Sequence, residues 1–78
     1  MNTEVRELIQ KILDLSLDTK NITVTYQESA GGHFEVSKIE KQEFVYRKYV
    51  YLKGYLYNEK EVIEDLKQMI IDLENMNK

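Results

Sequence analysis

The sequence predicts an α+β domain, and three patterns carry that reading. Apolar residues recur at helical spacing at both ends of the chain. Between the ends, β-branched and aromatic residues alternate with polar ones. Turn-forming pairs break this middle region into strand-length pieces. The predicted order is α-β-β-β-α, a three-stranded antiparallel sheet with two helices packed on one face.

The first helix follows from Val5, Leu8, Ile9, Ile12 and Leu13, which fall on one helical face. Thr3 is the expected N-cap, with Glu4 and Glu7 near the positive end of the dipole. The pattern runs to about Leu17, and Asp18 to Asn21 is a polar break. Ile22 to Gln27 alternates as a strand, with Ile22, Val24 and Tyr26 on one side. Gly31-Gly32 supplies a hairpin turn, because glycine tolerates the positive φ that tight turns need. His33 to Ile39 returns as the second strand, with Phe34 and Val36 on one face.

Lys41-Gln42 is a weaker turn into a third strand, Phe44 to Leu52, closed by Gly54. Its even set is Phe44, Tyr46, Lys48, Val50 and Leu52, and its odd set Val45, Arg47, Tyr49, Tyr51 and Lys53. The last helix is the clearest element. Asn58 caps it, with Glu61 completing a capping box. Val62, Leu66, Met69, Ile70, Leu73 and Met76 form its buried stripe. Acids crowd its first two turns, where the dipole favours them.

The 78 residues amount to one domain, residues 1–78, without an internal repeat, linker or low-complexity segment. A chain this short buries only about 60–65% of its unfolded surface, so a homodimer is expected to add apolar burial. The absence of cysteine excludes disulfides, thiolate chemistry and Cys-type zinc sites. No apolar run approaches the roughly 18 residues of a membrane span, and residues 1–18 have no signal-peptide core. The expected setting is cytoplasmic and soluble. Lysine outnumbers arginine nine to two, and Ile, Asn and Tyr are frequent, a usage that fits an AT-rich genome.

The segment Phe44 to Tyr57 stands apart. It holds five of the six tyrosines and three basic residues, and no acid, in a chain of net charge -3. Tyrosine and arginine are favoured at interfaces because each joins a large contact area to a polar handle. The alternation places Arg47, Tyr49, Tyr51 and Lys53 on the sheet face away from the helices, beside Thr23, Thr25, Glu35 and Ser37. These four, with Tyr55 and Tyr57 at the rim, are the candidate partner-binding residues. The bland alternative is that the tyrosines pair across strands and shield the sheet.

Catalysis finds little support. One histidine and no cysteine exclude a Cys/His pair, and Ser29 with His33 flanks a flexible Gly-Gly turn that pre-organises nothing. The scattered acids suggest no metal site. Gly31-Gly32 lacks the context of a phosphate-binding loop. No enzyme activity, cofactor or metal is expected.

Two resemblances bear on function. Tyr26, the Gly31-Gly32-His33 turn, Phe34 and Val36, within the α-β-β-β-α order, resemble the first hairpin of double-stranded-RNA-binding domains. That family grips phosphates with a basic run at the start of its last helix. Here the position reads Asn58-Glu59-Lys60-Glu61, followed by Glu64 and Asp65, which would repel a phosphate backbone. The length, AT-rich residue usage and helix–hairpin–strand–helix layout also resemble small accessory proteins of phages and prophages of low-GC Gram-positive bacteria. That resemblance implies a stoichiometric inhibitor or anti-defence protein that binds one host or phage protein. The sequence therefore points to a non-enzymatic protein-binding module acting through the Tyr/Arg-rich sheet face. The alternative is a single-stranded nucleic-acid or nucleotide binder that stacks bases on the same strand.

Overall fold

The computed structural model describes residues 2–77. The order is α1 (Thr3–Leu17), β1 (Ile22–Gln27), β2 (His33–Glu40), β3 (Glu43–Tyr51) and α2 (Glu59–Met76). The sheet order is β1-β2-β3, antiparallel throughout. The α+β fold and its element order are thus those the sequence predicts.

α1 is capped one residue earlier than expected, by Asn2 instead of Thr3. Asn2, in extended conformation, accepts from the backbone N–H of Glu4 at 2.7 Å and of Val5 at 3.3 Å. Thr3 is the first helical residue, because Asn2 already takes the donors a Thr3 cap would use, Val5 N–H through its side chain and Arg6 N–H through its backbone carbonyl. α2 starts as expected, with Asn58 Oδ1 accepting from Glu61 N–H at 3.1 Å.

The connection from β1 to β2 is longer than a tight hairpin. A short 3₁₀ turn, Glu28–Ala30, precedes the glycines. Gly32 then sits at φ 67°, where a Cβ would lie 2.9 Å from Lys53 Cγ and 3.2 Å from Lys53 N. Only glycine fits so close an approach without displacing β3's exit. The β2–β3 turn is a two-residue hairpin in which Lys41 (φ 52°) and Gln42 (φ 67°) both take left-handed conformations.

Both helices cover one face. Val36, Val50 and Phe34 from the sheet, and Leu52 just past β3, meet Val5 and Ile12 of α1 and Val62, Leu66, Met69, Ile70 and Leu73 of α2 in one core. Each fully buried aliphatic side chain there contributes roughly 1.5–3 kcal/mol of transfer free energy. The helices run parallel. Asn2 Nδ2 donates to Glu59 Oε1 at 2.7 Å where both begin, and the buried Thr19 hydroxyl reaches the Asn77 side chain at 2.8 Å where both end. α1 packs on β1 and α2 on β3.

The strand register carries one irregularity. Lys38 pairs with Tyr46, but Ile39 pairs with Phe44, so Val45 is an extra residue in β3. The bulge moves Phe44 out of the helix-facing set to which simple alternation assigned it. Phe44 now shares a face with Ile39, and the Arg47 guanidinium carbon lies 5.2 Å from its ring centroid. Alternation counts residues one by one, and a bulge breaks that count.

Candidate functional site

The helix-free face of the sheet is built from β2 and β3. Tyr46 and Lys48 point the other way, toward α2, where they meet Asp72 and Asp65. The intervening residues, Arg47, Tyr49 and Tyr51, therefore project from the open face. Tyr49 remains 48% exposed, so no helix covers it.

Cross-strand pairing sets what these side chains touch. Tyr51 faces His33, Tyr49 faces Glu35, and Arg47 faces Ser37. The His33 ring stacks on Tyr49, with centroids 4.8 Å apart at 24°, and meets Tyr51 edge-on at 5.6 Å. Tyr49 and Tyr51 meet edge-on at 5.8 Å. Such geometries suit the ring quadrupoles and add roughly 0.5–1.5 kcal/mol per aromatic pair beyond area burial. Glu35 Oε1 lies 3.1 Å from both His33 Nε2 and an Arg47 terminal nitrogen, and Ser37 is buried in the row between Thr23 and Arg47. From turn to chain exit the face thus presents Phe44, Arg47, Tyr49 and Tyr51 in a row, with Glu35 alongside pairing Arg47 and His33 against the two tyrosine rings.

The remaining sequence candidates separate. β3 ends at Tyr51, and Lys53 leaves the open face to pair with Glu28 at the β1–β2 connection. The hydrogen bond with Glu28 holds the Lys53 ammonium above its ordinary pKa, and the same bond holds the Glu28 carboxyl below its own. Tyr55 is fully exposed on the loop before α2 and lines a shallow depression of about 300 Å³ with Tyr51, Lys53 and Leu56. Tyr57 turns inward and packs against the core. The structure therefore joins Arg47, Tyr49 and Tyr51, keeps Tyr55 at their margin, and removes Lys53 and Tyr57 from the face.

Two contributors were not legible as such. His33 read as a turn-flanking residue, yet it is the stacking partner of Tyr49. Its alternation with Glu35 and Ser37 was the available signal. Phe44 was hidden by the bulge.

Each basic residue between Phe44 and Tyr57 is paired with a carboxylate from another part of the fold. Arg47 pairs with Glu35, Lys48 with Asp65 and Lys53 with Glu28. Among the described residues, no group of three or more histidine or acidic side chains is arranged to hold a metal ion. Among the described residues, no helix is long and apolar enough to cross a membrane. Comparison of the chain with protein-family models, with curated proteins and with solved structures finds no match.

Proposed function

We propose that this chain is a non-enzymatic protein-binding module, of the stoichiometric inhibitor or accessory type, that engages its partner through the open sheet face. The observation that carries the reading is the row of Phe44, Arg47, Tyr49 and Tyr51, solvent-facing and held in place by His33 and Glu35. Rigid aromatic anchors with a pre-oriented arginine lose little side-chain entropy on binding, which is why they dominate interface energetics. A charge-driven phosphate ligand is disfavoured by the same geometry. Each basic residue of Phe44 to Tyr57 already has a carboxylate partner, so binding a phosphate would require breaking an existing ion pair.

The test is an affinity capture from a low-GC bacterial lysate, with and without nuclease, followed by titration of the purified partner. The comparison is wild type against a folded Tyr49→Ala/Tyr51→Ala variant. A partner retained after nuclease should bind the variant at least about thirtyfold more weakly, the loss expected of a hot-spot pair. Its affinity should change little as salt rises. Retention that needs nucleic acid, with a steep log–log salt slope, would replace this reading with the single-strand binder. Self-association on this face is the remaining use. Sedimentation would reveal it as a dimer dissolved by the same double variant.

A further inference from the structure

We propose that the free edge of β1, with the groove beneath α1, is a strand-addition site for an extended peptide. The peptide would carry apolar residues at alternate positions and a carboxylate near one end. The site is separate from the open sheet face.

The direction of the backbone groups of β1 follows from two ladder bonds. Ile39 N–H donates to Asn21 O at 3.4 Å, and Leu52 N–H donates to Gly32 O at 2.9 Å. Antiparallel pairing alternates, so Thr23, Thr25 and Gln27 turn their N–H and C=O toward β2. Ile22, Val24 and Tyr26 turn theirs outward, along an edge that pairs with no other strand among the described residues. Exposed edges are usually blunted by charge, proline or a bulge. β3, the other edge, has both the bulge at Val45 and the charges Glu43, Arg47 and Lys48. β1 reads ITVTYQ, uncharged and without proline, and its register with β2 is regular.

A groove of about 510 Å³ runs beside this edge, floored by Val24, Phe34 and Leu52 and roofed by Ile9 and Leu13 of α1. Leu13, expected in the buried stripe, remains 38% exposed because it overhangs this space. A residue bonded opposite Val24 or Tyr26 would share their face and point its side chain under α1. Its alternate neighbours would lie beside Thr23 and Thr25. The groove therefore requires an apolar-polar alternation in its occupant. Its lining has one charged residue, Arg6, which forms no ion pair among the described residues. A carboxylate on the peptide complements it.

Sterics select a peptide over a second copy. Neighbouring strands lie about 4.8 Å apart, whereas packed helices need about 8–10 Å between axes. Because α1 stands over β1, two copies joined edge to edge through β1 would press their α1 helices together. Two helices side by side span about four strands, and this sheet has three. The vacancy suits one strand that carries no helix.

The experiment selects peptides from a displayed random linear library on the full chain, then measures the synthetic consensus peptide by fluorescence anisotropy and amide exchange. The expected consensus has apolar residues at i, i+2 and i+4 with an acid beside them. Binding should protect the Val24 and Tyr26 amides. Val24→Pro removes an outward N–H and no bond to β2, and it should weaken binding about tenfold or more. Leu13→Glu and Arg6→Glu should weaken it as well, while Tyr49→Ala/Tyr51→Ala should not. The proposal is overturned by a consensus without alternation, by unprotected edge amides, or by a dimer that a folded Val24→Pro variant dissolves. Should Val24→Pro fail to fold, the Leu13→Glu loss and the amide protection decide the matter.

Discussion

Tyr46 shows how one side chain can tie the two layers together. Its hydroxyl donates to Asp72 Oδ2 at 2.7 Å, and Gln68 Nε2 holds the other carboxylate oxygen at 2.9 Å. Burial, reinforced by the bond to Asp72, raises the Tyr46 phenol well above its ordinary pKa. The folded phenol thus stays protonated where the unfolded one ionises, from about pH 10 upward. Its contribution is complete below that pH and is lost as pH climbs toward the raised folded value. Tyr46→Phe should cost about 1–2 kcal/mol near neutral pH by urea titration. It should also flatten the decline of stability above pH 10 relative to wild type. An unchanged alkaline slope would mean that the phenol does not couple to folding.

At the scale of elements, the β2–β3 hairpin carries a local conflict. A two-residue turn with both φ positive favours Asn-Gly, yet Lys41 and Gln42 occupy it. Lys41→Asn with Gln42→Gly should stabilise the fold by roughly 0.5–1 kcal/mol, read as a higher urea midpoint with an unchanged m-value. The pairing of Ile39 with Phe44 should persist, since the bulge follows the turn. A fall in stability would show that the native pair makes contacts that outweigh its backbone strain. The helices carry no such conflict. Their acidic first turns lie at the positive dipole ends, and the α2 cap and the Val62–Leu73 stripe agree with the structure that forms.

At the scale of the molecule, eleven buried side chains among the described residues, drawn from two layers, form a single core. Typical stability for this length is roughly 4–12 kcal/mol. Leu66 and Met69 are wholly buried at its centre. Leu66→Ala should cost about 2–5 kcal/mol, enough to leave a visibly unfolded fraction at mild temperature by circular dichroism. A loss below about 1 kcal/mol would mean that the helices close over the cavity freely. Arg6, exposed beside the β1 edge, lies outside this core, and Arg6→Glu should alter peptide binding while leaving the melting temperature nearly unchanged.

The elements were legible in the sequence because their signals are local. Side-chain period and capping chemistry depend on residues within one or two turns, and they located both helices and all three strands. Alternation also assigned Arg47, Tyr49 and Tyr51 to one face, since that needs only neighbours along a strand. What the tertiary structure decided depends on residues far apart in the chain. The bulge opposite Lys38/Ile39 reassigned Phe44, the register brought His33 and Glu35 beside Tyr49 and Arg47, and Lys53 was drawn away by Glu28. Which strand edge remains free, and which helix overhangs it, depends on how the layers pack. No local pattern encodes that, because it is settled only when the whole core closes.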